Sequence, residues 1–195
     1  MSSERIILFD GTNLDNWHSV YNEAPKWTVC DGYTTVTPYS GSIVSNVEYG
    51  DAHIHLEFKT PDMPDKTGQD KGNSGVFIHA CYEIQVLDSF GINPPTRGDC
   101  AAIYGMFEPL TNACLPPDEW QSYDIYFRAP RFDGDRIIEC ARLTLLHNGV
   151  VVHNNIDLPG HTGGGLFGTP PARGPLMLQD HADQVSYRNI WIQPL

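Results

Sequence analysis

"AHIHLEFKTP", residues 52–61, decides the fold class of this chain. Ala52, Ile54, Leu56 and Phe58 alternate with His53, His55, Glu57 and Lys59, so an extended backbone puts the apolar set on one side and the polar set on the other. A helix would scatter the same residues around its circumference. Short runs with this period of two recur along the chain between glycine, proline and asparagine, and no apolar period of about 3.6 residues is sustained beyond a few turns. "LTLLHNGVVVHN" (143–154) predicts a two-residue hairpin, because Asn148-Gly149 tolerates the positive φ angles of a type I′ turn. "EWQSYDIYFRAP" (119–130) and "VSYRNIWIQPL" (185–195) read as two further strands, the last expected to pair deep in a sheet, with Trp120 and Trp191 expected in the core. The expectation is an all-β chain of antiparallel sheets forming one domain over residues 1–195.

Three stretches rich in proline and glycine, 60–73, 89–100 and 158–175, read as surface loops. The third, "LPGHTGGGLFGTPPARGP", is long for a compact domain and is expected to be either a groove wall or lid, or a mobile segment.

Composition narrows the partners. A formal net charge of −12 repels phosphate backbones and anionic membrane surfaces, and no run of lysines or arginines offsets it, so neither nucleic acid nor membrane is an expected partner. "MSSERIILFDG" carries Glu4 and Arg5 ahead of a four-residue apolar stretch, too short for an export signal or a spanning helix, which favours a cytoplasmic protein. Five scattered cysteines without a C-x-x-C pair suggest neither a disulfide framework nor a zinc knuckle, and a reducing compartment fits them.

Polar residues then stand out on strands that should be buried. In "GNSGVFIHACYEIQVLD" (72–88), Glu83 and Gln85 share one face of a strand while Tyr82, Ile84 and Val86 take the other; in "LMLQDHADQV" (176–185), Gln179 and His181 form a similar pair. If the rows 53-55-57, 83-85 and 179-181 shared one sheet, they would line a surface with the amides, carboxylates and imidazoles that sugar hydroxyls require, and Tyr104 could stack on a pyranose. The plainer reading is a solvated sheet face. Glu83-x-Gln85-x-x-Asp88 also partly matches the E-x-D-x-x-E strand of two-carboxylate retaining glycosidases, although strict alternation turns Asp88 away from Glu83.

The ordered set "LFDGTNLDNW", "GNSGVF", "YEIQVLDS", "AAIYG", "PPDEWQSYDIYFRAPRF", "LHNGVVVHNN" and "LMLQDHADQVSYRNIWI" resembles the 3-keto-disaccharide hydrolase domain family over nearly the whole chain. The resemblance implies a concanavalin-like jelly-roll sandwich and hydrolysis of glycosides already oxidised at carbon 3 by a separate sugar dehydrogenase. This chain departs from the family pattern at His79, where many members have arginine, and at Ala182, where many have glycine. Many relatives also carry export signals.

The implied chemistry suits these residue types. A ketone at carbon 3 acidifies the proton on carbon 2, the enolate expels the carbon 1 substituent, and water adds to the resulting enone. Such a route needs a base that titrates near the working pH and groups that hold the enolate oxygen. Glu83 and His181 are the candidate catalytic residues, and Asn73, His79, Gln85, Tyr104, Gln179 and Glu57 the candidate substrate-binding residues. A divalent metal ion held by some of His55, Glu57, His79, Glu83 and His181 is a further expectation, with no nucleotide cofactor. The alternatives are a non-catalytic carbohydrate-binding module, a two-carboxylate glycosidase, and a structural interaction domain.

Overall fold

The structure, a computed structural model, describes residues 4–195; Met1, Ser2 and Ser3, part of the segment read above for an export signal, lie outside the described residues. Fifteen strands follow one another: β1 Ile6–Phe9, β2 Trp17–Ser19, β3 Thr28–Cys30, β4 Tyr33–Thr35, β5 Ile43–Tyr49, β6 Ala52–Lys59, β7 Ser74–Ile78, β8 Tyr82–Val86, β9 Gln121–Arg128, β10 Arg131–Asp133, β11 Arg136–Glu139, β12 Ala141–His147, β13 Val150–Leu158, β14 Gly174–Leu178 and β15 Ser186–Pro194. One sheet runs β13-β12-β9-β6-β15-β4-β3 with β1 added on β15, a second runs β2-β5-β14-β7-β8, and β10-β11 is a small ribbon. All pairings are antiparallel, and the two large sheets pack as a jelly-roll sandwich.

The alternation in β6 positions the core. Ala52, Ile54, Leu56 and Phe58 are fully buried and meet Tyr123, Ile125, Leu143, Leu145, Ile190 and Ile192 of the same sheet and Val76, Ile78, Tyr82, Ile84, Val86 and Leu178 of the other. Each such side chain contributes roughly 1.5–3 kcal/mol on burial, so a one-residue slip that turned β6 over would forfeit several of these at once. The hairpin forms as expected: His147 pairs with Val150, and Asn148 and Gly149 sit at φ 52° and 76°. Asn148 also accepts from the Ser122 N–H (2.9 Å) and donates to Ala113 O (2.8 Å), which ties the turn to its neighbours.

The last strand does pair deep, between β6 and β4. Its register shifts between Arg188 and Trp191, with Asn189 at φ 49°, so Tyr187, Ile190 and Ile192 all face inward. Trp191 is thereby put on the outer face, stacked on His55 (centroids 5.1 Å apart) and capped by Arg5. Trp120 lies half-buried under Arg188 rather than in the core. Among the described residues, no helix is long and apolar enough to cross a membrane.

Candidate active site

Strand β8 explains the polar residues of the 72–88 segment. Tyr82, Ile84 and Val86 enter the core, so Glu83 and Gln85 emerge on the outward face of the five-stranded sheet, yet that face is covered and both are buried. The cover comes from three connections. Residues 101–104 run along the free edge of β8, with Gln85 N donating to Ala102 O (2.9 Å), Ala101 N to Gln85 O (2.9 Å) and Tyr104 N to Glu83 O (3.1 Å). An otherwise open strand edge is thus paired, and Tyr104 is carried to the rim. The long 158–175 connection is a wall: Leu166 N donates to Ala80 O (2.8 Å), and Thr162 Oγ1 accepts from Glu83 N (2.9 Å). The chain leaving β14 is held by Gln179 N donating to Gly75 O (2.9 Å).

The result is a cleft of about 210 Å³ lined by Gln69, Asn73, Glu83, Gln85, Tyr104, Thr162, Gly163, Gly164, Gln179 and His181. That is below the roughly 300–1,000 Å³ of pockets for drug-sized ligands and suits one small polar ligand of the order of a single sugar ring. Across His181 it adjoins a wider hollow of about 540 Å³ walled by Tyr21, Tyr39, Ser42 and Asp180. Tyr39 is 89% exposed, an aromatic face presented to solvent.

Electrostatics single out Glu83. Burial pushes its carboxyl up to about 7, because the charged form loses hydration there. The Ser74 carbonyl orients the Gln85 amide, because it can only accept: the amino group faces Ser74 O (3.1 Å) and Glu83 Oε1 (3.3 Å) and donates to both. Gln179 Oε1 is buried with no hydrogen-bond partner in the protein, an acceptor free for a ligand hydroxyl.

The structure therefore brings together Asn73, Glu83, Gln85, Tyr104, Gln179 and His181, and separates the remainder. The row 53-55-57 lies on the outer face of the other sheet, because the inward face of β6 is the apolar one. There His53 and His55 share Asp124 Oδ1 (3.0 and 2.9 Å), and Glu57 accepts from Arg188 Nε (2.6 Å) and Asn189 Nδ2 (2.9 Å). Glu57 is thus no substrate contact, and His55 and Glu57 cannot join Glu83 around a metal.

His79 is also misplaced by simple alternation. His79 and Ala80 both adopt left-handed backbone (φ 52° and 47°), which ends β7 at Ile78 and turns the imidazole inward against Tyr49 (4.9 Å) and Phe127 (4.7 Å). Burial lowers its pKa to about 4, and it lines neither hollow, so it is neither a substrate contact nor a partner for a cleft metal. Of the five expected metal ligands, only Glu83 and His181 share the cleft.

Asp88 lies beyond the end of β8, paired with Lys71 Nζ (2.8 Å), and Glu83 is the one carboxylate among the cleft residues. The second acid of the expected pattern is thus outside the cleft lining, and the other carboxylate nearby is Asp180 in the wall of the adjoining hollow. Gln69, Thr162, Gly163 and Gly164 were not singled out by sequence. The "HTGGG" run was a signal for the last three, since small residues let the wall approach β8, whereas Gln69 stands in an ordinary polar loop.

Residues 4–193 match the family described as the 3-keto-alpha-glucoside-1,2-lyase-like domain. The chain belongs to that family. A candidate glycosyl hydrolase of Parabacteroides distasonis ATCC 8503 superposes with a TM-score of 0.91 at 37% identity, over 99% of this chain and 84% of its own. A second from the same organism gives 0.67 at 25% identity, over 98% of this chain and 100% of its own. LamAcat of Zobellia galactanivorans, with a TM-score of 0.51 at 9% identity over 100% of this chain and 98% of its own, shares the fold. No curated protein matches the chain in sequence. Within the 3-keto-alpha-glucoside-1,2-lyase-like family pattern, the Ala182 departure falls on a residue at φ 71°, a conformation that glycine adopts freely and alanine does not.

Proposed function

We propose that this member of a carbohydrate-active family cleaves glycosides oxidised at carbon 3, by proton abstraction from carbon 2, elimination of the carbon 1 substituent and hydration. The observation that carries the reading is a single buried carboxyl, Glu83, titrating near neutrality in a hexose-sized cleft that contains no second carboxylate. A lone base of that kind suits removal of a C–H proton already acidified by a ketone, whereas an oxocarbenium route calls for two carboxyl groups.

In this reading Glu83 takes the carbon 2 proton, and the electron pair moves to the carbon 3 oxygen. The Asn73 amide and Tyr104 border the enolate and neighbouring hydroxyls, Gln85 donates to the Glu83 carboxylate, and Gln179 Oε1 accepts a hydrogen bond from a hydroxyl. His181, between the two hollows, returns a proton to the departing oxygen, and the leaving sugar occupies the hollow beside Tyr39. Water adds to the enone at carbon 1, losing a proton to His181, and protonated Glu83 returns its proton to carbon 2, giving a free 3-keto sugar and restoring both side chains. The substrate must come from a dehydrogenase that oxidises a sugar hydroxyl to a ketone.

Purified protein incubated with a 3-keto-disaccharide and with its unoxidised parent tests this. Cleavage of the keto form alone, with solvent deuterium appearing at carbon 2, is expected. Equal turnover of both would overturn the elimination route, and binding without turnover would make the chain a carbohydrate-binding module.

A further inference from the structure

At the far end of β12, away from the cleft lining, Cys100, Cys114 and His147 converge, their ligand atoms all within 4.8 Å of one another. His147 is fully buried, and its Nε2 lies 2.9 Å from Gln121 Oε1. That oxygen also accepts from Leu115 N (3.0 Å), which fixes it as an acceptor and therefore places the imidazole proton on Nε2. Nδ1 is left with a lone pair, buried, and with no hydrogen-bond partner in the protein. An unpaired buried acceptor is costly unless something binds it.

We propose that Cys100, Cys114 and His147 form a structural binding site for a zinc-class divalent cation. The charges favour that class: two thiolates and a neutral imidazole around a dication make a neutral centre, the form a buried site tolerates, and both thiols release their protons on binding. Thiolate sulfurs about 2.3 Å and an imidazole nitrogen about 2.0 Å from zinc imply ligand separations of roughly 3.5–3.8 Å, so a contraction of about 1 Å completes the site. Cys114 is half-buried on a connection and can supply that movement. The Gln121 contact is the outer hydrogen bond that orients a metal-bound imidazole. Tyr123 Oη lies 3.2 Å from Cys100 Sγ.

The cation would staple the 100–114 connection onto β9 and β12. Tyr123 Oη donates to Gln85 O (2.7 Å) and Ala101 N donates to the same oxygen (2.9 Å), so the staple braces the strand that carries Glu83 and Gln85.

Titration of the reduced, chelator-treated full chain with cobalt(II) tests the proposal. One equivalent is expected to produce thiolate-to-cobalt charge-transfer absorption and tetrahedral ligand-field bands, reversed by zinc(II), with a zinc-dependent rise in Tm. Cys114→Ser is expected to lose the charge-transfer band while still folding, and Cys30→Ser with Cys140→Ser to leave it unchanged. The proposal is overturned by reduced, folded protein that shows no such band, by a Cys114→Ser variant that binds as the parent does, or by isolation of the chain without metal and with Cys100 disulfide-bonded to Cys114.

Discussion

Gly75 lies against the carboxyl of Glu83: a Cβ at Gly75 would stand 2.6 Å from Glu83 Oε1 and 2.9 Å from Phe77 Cε2. The bare Cα on β7 is what admits the buried carboxyl beside it. Gly75→Ala is therefore expected to push the carboxyl from its place, lowering kcat tenfold or more and costing about 1–3 kcal/mol in urea unfolding. Unchanged kcat in a destabilised but folded variant would mean that the position of Glu83 does not matter to the reaction.

Glu83 also links activity and stability to pH. Its carboxyl ionises at 4.5 when solvated and at about 7 in the fold, so the folded chain keeps a proton that the unfolded chain has lost between those values. The contribution of Glu83 to stability consequently declines from about pH 4.5 to pH 7, while kcat/KM rises toward and through pH 7 as the base ionises. Glu83→Gln is expected to abolish turnover and to be about 1–3 kcal/mol more stable than wild type at pH 8, with little difference at pH 4. Denaturant midpoints at the two pH values check the sign.

His79 has the opposite dependence. Held neutral by burial, with a pKa of about 4 against 6.5 in the unfolded chain, it contributes stability that is fully present above pH 6.5 and is lost as pH falls toward 4. His79→Asn, which tolerates the left-handed backbone, is expected to be less stable at pH 7 through lost packing and to show a shallower acid dependence, by up to about 1.4 kcal/mol per pH unit. Parallel slopes for the two proteins would contradict this.

Ala182 sits at φ 71° beside His181. Ala182→Gly removes the Cβ strain, and after allowing for glycine's greater chain entropy it is expected to stabilise the fold by about 0.5–1 kcal/mol. Thermal unfolding measures it, and a lowered Tm would contradict the strain.

Tyr39 lines the outer hollow alone of the two, so its effect should depend on the leaving group. Tyr39→Ala is expected to raise KM severalfold for a 3-keto-disaccharide, and to leave kcat/KM unchanged for a 3-keto-glucoside with a small leaving group. Equal losses on both substrates would remove the hollow from the reaction.

By itself the sequence determined the all-β class, the Asn148-Gly149 hairpin, the inward face of β6 and the polar pairs 83-85 and 179-181, because alternation and turn chemistry act between neighbours along the chain. Tertiary structure alone decided which polar rows meet. The same alternation that made 53-55-57 conspicuous put it outside the other sheet, two left-handed residues turned His79 into the core, and a bulge at Asn189 reversed the parity of the last strand. Gln69, Tyr104 and Thr162 reach the cleft through loops whose paths are set by hydrogen bonds to β8 or its flanks, and Cys100, Cys114 and His147 meet only when the connection between β8 and β9 closes over the end of β12. Such encounters depend on sheet order and loop closure over long sequence separations, for which neither periodicity nor composition carries a signal.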